Sequence, residues 1–213
     1  NGYSDTRMGA SMDSYLNGYN DPRLPVYFQP VTEGDNKGEY RGVANGMPNP
    51  QQDDYKAMSA PNVQEKSTDS PLRWMMASEV AFLRAEGAMR GWTAEMGGTA
   101  EEFYNKGIEL SFLENGLSAD AAARYAADET SKPTDFTDVS AANTKYNISA
   151  LGKITIKWNA GASEEEQLER IITQKWIAMF PNGTEAWSEF RRTGYPLIFP
   201  VRSNYPTSGV DTN

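Results

Sequence analysis

Hydrophobic and polar positions along the chain follow a helical period in separate stretches, divided by long segments with no period. Met8, Met12, Tyr15, Leu16 and Tyr19 recur at helical spacing and predict a short helix over 5–17, with Gly18 placed to end it. From Asn20 to Pro71 the period vanishes. Pro22, Pro25, Pro30, Pro48, Pro50, Pro61 and Pro71 stand among Gly and Asn, which predicts irregular chain with pinned turns. Leu24, Val26, Tyr27 and Phe28 offer it anchors. The strongest helical signal follows. Leu72, Met75, Met76, Val80, Leu83 and Gly87 share one face of a helix from Pro71 to Arg90, with Gly91 as its stop.

A second helix opens at Thr99, which forms a Thr-x-x-Glu capping box with Glu102. Its inner face reads Ala100, Phe103, Tyr104, Gly107, Ile108, Ser111 and Phe112, and Gly116 closes it. Residues 71–116 are therefore expected to fold back as an antiparallel hairpin, with Leu83 buried against Phe103 or Tyr104. Ala85, Gly87, Ala88 and Gly107 would allow close approach. Ser118 caps a third helix anchored by Tyr125. Within the polar stretch 129–162, Ile154, Ile156 and Trp158 alternate with Thr155 and Lys157, as in a short strand. Ser163 and Glu166 repeat the capping signal before Leu168, Ile171, Ile172, Trp176, Met179 and Phe180. Pro181-Asn182-Gly183 stops that helix, and a last one runs over 184–192. The expected class is all-α, in segments 1–70, 71–116, 117–162, 163–196 and a tail 197–213.

Composition narrows the chemistry. The 213 residues contain no cysteine and no histidine, which excludes disulfides, thiol nucleophiles, Ser-His-Asp triads and His- or Cys-based zinc sites. The 29 acidic and 20 basic side chains give a net charge of −9, opposite in sign to what phosphate backbones require. No apolar run reaches the roughly 18–20 residues needed to cross a bilayer. The 11 Tyr and 5 Trp provide flat apolar rings with a polar edge, suited to sugar rings and wet interfaces.

Three motifs, in order, carry a family pattern. One is Ser11-Met12-Asp13-Ser14-Tyr15-Leu16 with Asp21-Pro22-Arg23-Leu24-Pro25. The next is Arg73-Trp74-Met75-Met76-Ala77-Ser78-Glu79-Val80-Ala81-Phe82-Leu83-Arg84-Ala85-Glu86 with Gly91-Trp92. The third is Ile172-Thr173-Gln174-Lys175-Trp176-Ile177-Ala178 with Glu185-Ala186-Trp187-Ser188-Glu189-Phe190-Arg191-Arg192-Thr193-Gly194-Tyr195-Pro196. The chain thereby resembles the C-terminal portion of the SusD/RagB family of outer-membrane nutrient-binding lipoproteins of Bacteroidota. The resemblance implies tetratricopeptide-like helix pairs with long loop excursions. It also implies a lipid-anchored place on the extracellular face of the outer membrane, lidding a SusC-like TonB-dependent transporter that receives oligosaccharides or peptides. Family members are longer and begin with a lipidated Cys. The expectation is thus that this chain packs against a missing N-terminal part of the same protein or against another copy.

Several conspicuous residues have simpler structural roles. Glu79 and Glu86 interrupt an apolar face seven residues apart, about 10 Å along a helix, which suits a glycosidase carboxyl pair poorly. They are expected to be structural, paired with Lys175, Arg191 or Arg192, because an unpaired buried charge is costly. Trp74, Trp92, Trp176 and Trp187 are expected in the core. Ligand contacts fall more naturally on aromatics of the irregular segments, namely Tyr27, Tyr40, Tyr55, Tyr146 and Trp158, with Asn49 and Asp53 as hydrogen-bonding partners. Asp53-Asp54 matches no calcium loop. No cofactor, metal or catalytic residue is expected. The leading expectation is a glycan-binding protein without catalysis; the alternative is a helical-repeat module that docks a protein or binds a peptide.

Overall fold

A computed structural model describes residues 6–46, 54–62 and 74–201. The chain divides into two compact units, each assembled from non-consecutive stretches. One draws on Asn1–Glu65, Pro133–Lys153 and Ile198–Asn213, the other on Lys66–Lys132 and Ile154–Leu197. Among the described residues the regular structure is helical, with isolated bridges but no strand.

The first unit contains α1 (Ala10–Gly18) and the single turn α2 (Leu24–Tyr27), into which Pro25 fits at the first turn, where an N–H is not needed. Helix α1 begins at Ala10, after Met8 has already been buried by the extended chain ahead of it. Apolar packing is supplemented by buried polar ties. The Asp21 carboxylate accepts three hydrogen bonds from Arg23 (backbone N–H, Nε and Nη2), and both side chains are fully enclosed. Asp13 accepts from the Gly42 N–H at 2.6 Å and from Asn17 at 2.7 Å. A Cβ on Gly42 would sit 2.9 Å from the Asp13 Cβ, so this approach requires glycine. Phe136, Tyr146, Ile148 and Phe199 close a small core over Ala10 and Ala44, and the Phe199 N–H is held by the Ser11 hydroxyl.

The second unit is built on a helical hairpin, α3 (Ala77–Met89) and α5 (Ala100–Glu114), with the one-turn α4 (Thr93–Met96) in its connection. The Thr99 side chain accepts from the Glu102 N–H while the Glu102 carboxylate accepts from the Thr99 N–H, so the expected capping box is complete. At the other end of the hairpin, Glu114 of α5 accepts from the N–H and hydroxyl of Ser78, satisfying a donor at the start of α3. Phe82 is the knob between the helices. A Cβ added to Gly107 would lie 2.7 Å from its ring, and its edge meets Tyr104 at 6.3 Å between centroids.

Three expectations are corrected here. Leu83 is 41% exposed rather than buried, and Met75 and Val80 also face outward. The described helix starts at Ala77, and its inward phase runs through Ser78, Phe82 and Ala85; Leu72 lies outside the described residues. The expected strand does not form. Ile154, Ile156 and Trp158 are buried and Lys157 is exposed, so the alternation is real, but the segment bonds to a side chain of α5 and to the backbone of a turn instead of a neighbouring strand. The Ile156 carbonyl accepts from Tyr104 Oη at 2.5 Å and the Lys157 N–H donates to the Asp128 carbonyl.

Helix α6 (Ala119–Ala126) is capped by Ser118 and packs Tyr125 on Phe112. Helix α7 (Glu164–Ala178) is capped by Ser163, with three glutamates in its first turn favoured by the helix dipole. Asn182 caps α8 (Gly183–Thr193), which Gly194 ends at φ 79°.

Candidate functional site

Of the aromatics expected to meet a ligand, Tyr27, Tyr146 and Trp158 turn inward and are buried. Their role as ligand contacts is corrected on that ground: each anchors its own loop. Tyr27 closes α2, Tyr146 belongs to the core around Phe136, and Trp158 packs 5.2 Å from Tyr104. Tyr40 is partly exposed, and its carbonyl accepts from Asn17 Nδ2 at 2.9 Å. Asn49, Asp53 and the side chain of Tyr55 lie outside the described residues.

Exposed indoles occur where core was expected. Trp74 is 89% exposed, and Trp92 and Trp187 are more than half exposed, while Trp176 is half-buried. Trp74 precedes α3 and Trp92 follows it, so neither obeys that helix's phase. Trp187 lies within α8, where a different force sets the phase.

That force is charge. Lys175 of α7 is 1% exposed, and its ammonium donates to Glu185 and Glu189 of α8, each at 2.9 Å. Arg192 of α8 reaches α3 and grips both oxygens of Glu86 at 2.7 Å, while its Nη2 also donates to Glu189. Arg90 completes the set with Nε and Nη2 bonds to Glu86 Oε1. Arg191 is exposed and takes no part in these bonds. Burial pushes the Glu86 carboxyl up, but its bonds from Arg192 and Arg90 outweigh this and hold it below its ordinary value. At Glu79, burial and then Glu185 prevail against the pull of Lys175, and the carboxyl is raised. Of the two acids, Glu86 is the one paired with cations, and through Arg192 it ties α8 to α3; Lys175, the cation expected for Glu79, pairs with Glu185 and Glu189 instead.

Two further acids are engaged by hydroxyls. Asp128, with four bonds from Thr130 and Ser131 in the turn that follows it, is held at about 2 despite some burial. Glu165 in the first turn of α7 accepts from the Tyr195 hydroxyl at 2.8 Å; burial and this bond push Tyr195 up to about 12. The sequence carried no signal for these two ties beyond the acids and hydroxyls themselves.

The sequence profile of the SusD-like family, described as "Susd and RagB outer membrane lipoprotein", matches residues 1–213. Among solved structures, a chitin-binding SusD homolog from Flavobacterium johnsoniae is 42% identical with a TM-score of 0.87, over 99% of this chain and 42% of that one. A SusD-like protein from Bacteroides thetaiotaomicron is 44% identical with a TM-score of 0.86, over 100% and 44%. A SusD homolog from the same organism is 47% identical with a TM-score of 0.80, over 92% and 39%. No protein of curated function matches. The chain belongs to the SusD/RagB family of outer-membrane lipoproteins. It spans 39–44% of the length of these solved relatives.

Proposed function

We propose that this chain is the C-terminal part of a cell-surface protein that binds nutrient oligosaccharides and passes them, without cleaving them, to a SusC-like TonB-dependent transporter. The supporting observation is family membership along the whole chain, together with 42% identity to a homolog whose description is chitin-binding. The arrangement of charges suits this reading, since Glu86 is taken up by Arg90 and Arg192 in helix packing. Exposed Val80, Leu83, Trp74 and Met75 favour one further element: these apolar side chains are covered by helices of a longer polypeptide, the missing N-terminal part. That part would also carry the lipid anchor to the outer face of the outer membrane.

Affinity electrophoresis of the full-length protein through gels containing soluble chitin derivatives, starch, xylan or pectin tests the reading. Retardation by at least one polysaccharide, with no shortening of oligosaccharides on prolonged incubation, is the expected result. Uniform mobility in every gel, together with capture of a peptide or protein partner, would replace it with the helical-repeat docking alternative. Co-purification with a TonB-dependent transporter tests the hand-over separately.

A further inference from the structure

Helix α8 is turned inside out relative to an ordinary surface helix. The one residue of α8 that is fully buried is an acid, Glu189. At about 100° per residue, Glu185, Glu189 and Arg192 fall within about 60° of each other on the helix, and Trp187 lies almost opposite them. Phe190 flanks Trp187 on one side and Arg191 on the other. The charged side is the one that docks, through Lys175 and Glu86. The aromatic side is left outward.

The Trp187 indole is not loose on that surface. It stacks on Phe190 with ring centroids 5.7 Å apart and planes inclined by 29°, so one ring face is occupied and its orientation is fixed. It remains 55% exposed. Thr184 and Arg191 are exposed beside it, and this outward face carries no acid although the chain is net negative. An exposed indole backed by a second ring, with a guanidinium one helical turn further on and no carboxylate on that side of α8, suits a neutral ligand that has one apolar face and acceptor oxygens at its rim. A pyranose ring has that form: its axial C–H groups make one face apolar, and its hydroxyl or N-acetyl oxygens accept from a guanidinium. A protein partner would need about 800 Å² from each side, roughly twice what one fully buried aromatic pair supplies.

We propose that Trp187, backed by Phe190 and edged by Arg191, is a saccharide-stacking site carried on the ion-docked helix α8. The proposal rests on the glycan-binding reading above and names a surface for it. The test is isothermal titration of the full-length protein with chitohexaose, or with whichever oligosaccharide represents the retarding polysaccharide, for wild type, Trp187→Ala, Trp187→Phe and Arg191→Gln. Circular dichroism checks that each variant is folded. Trp187→Ala is expected to bind about 10-fold more weakly and Trp187→Phe less so, because a smaller ring still stacks. Saturating sugar should quench part of the indole emission in wild type but not in Trp187→Phe, a readout that does not depend on the alanine variant folding. Affinity and quenching unchanged in the Trp187 variants of a protein that does bind sugar would overturn this site and leave the general reading standing. No sugar binding by wild type would overturn both.

Discussion

The α3–α5 hairpin and the helix α8 belong to the same compact unit and are held by opposite means. In the hairpin an aromatic knob, Phe82, fills the space that Gly107 leaves open, and polar side chains secure the ends through the Thr99 box and the Ser78–Glu114 bonds. Helix α8 docks through Lys175 and Glu86, and its aromatics face away. Apolar packing is tolerant of small errors of angle but sensitive to volume. Ionic docking is the reverse: it fixes register through bond geometry and is costly to break on one side only. The difference teaches that an outward aromatic on α8 is what remains when charges have taken the inner face.

The largest expected separation between the two regions comes from Phe82→Ala. Loss of the ring opposite Gly107 should cost about 3–5 kcal/mol, measured by denaturant unfolding. A cost below about 0.5 kcal/mol, the range of surface changes, would show that the hairpin is not packed as described. Thr99→Ala should cost about 0.5–2 kcal/mol by removing the cap of α5; Thr99→Ser, which keeps the hydroxyl, should recover most of it.

The charged region should reveal itself through pH. The Glu79 carboxyl is raised in the folded state, so the stability it contributes is complete below its ordinary value of 4.5 and is lost as pH rises through the raised value. Glu86 is lowered, so its contribution is present above 4.5 and is lost as pH falls through the lowered value. Glu79→Gln should therefore flatten the decline on the upper side, and Glu86→Gln the decline on the acid side. Identical pH profiles for wild type and both variants would contradict the assignment. The smallest effect is expected at Leu83→Ala, below about 0.5 kcal/mol for this chain, because the side chain faces outward.

What could be read in advance divides along the same line. Caps at Thr99, Ser118 and Ser163 are local, and each hydroxyl stands at the helix start where the sequence placed it. The hairpin followed from two long apolar patterns, yet its phase did not. Met75, Val80 and Leu83 make a more conspicuous stripe than Ser78, Phe82 and Ala85, and periodicity cannot see that a glycine opposite selects the second face. At 154–158 the alternation of burial was legible, but a strand also needs a partner, and the chain provides Tyr104 and Asp128 instead. Tyr27, Tyr146 and Trp158 stand in irregular segments, where composition gives no inward or outward phase. Glu86 could be matched to Arg192 because a charge in an apolar stripe demands a counter-charge. That the same demand would turn Trp187 outward is a tertiary consequence with no local signature.

The most direct test of ionic docking is amide hydrogen exchange in Lys175→Met, which keeps the buried volume and removes the ammonium shared by Glu185 and Glu189. Amides of α8 should exchange markedly faster than in wild type, while those of α5 keep their protection relative to one another. If α8 stays fully protected, or if α5 and α8 lose protection together and equally, the helix is held by something other than its charges.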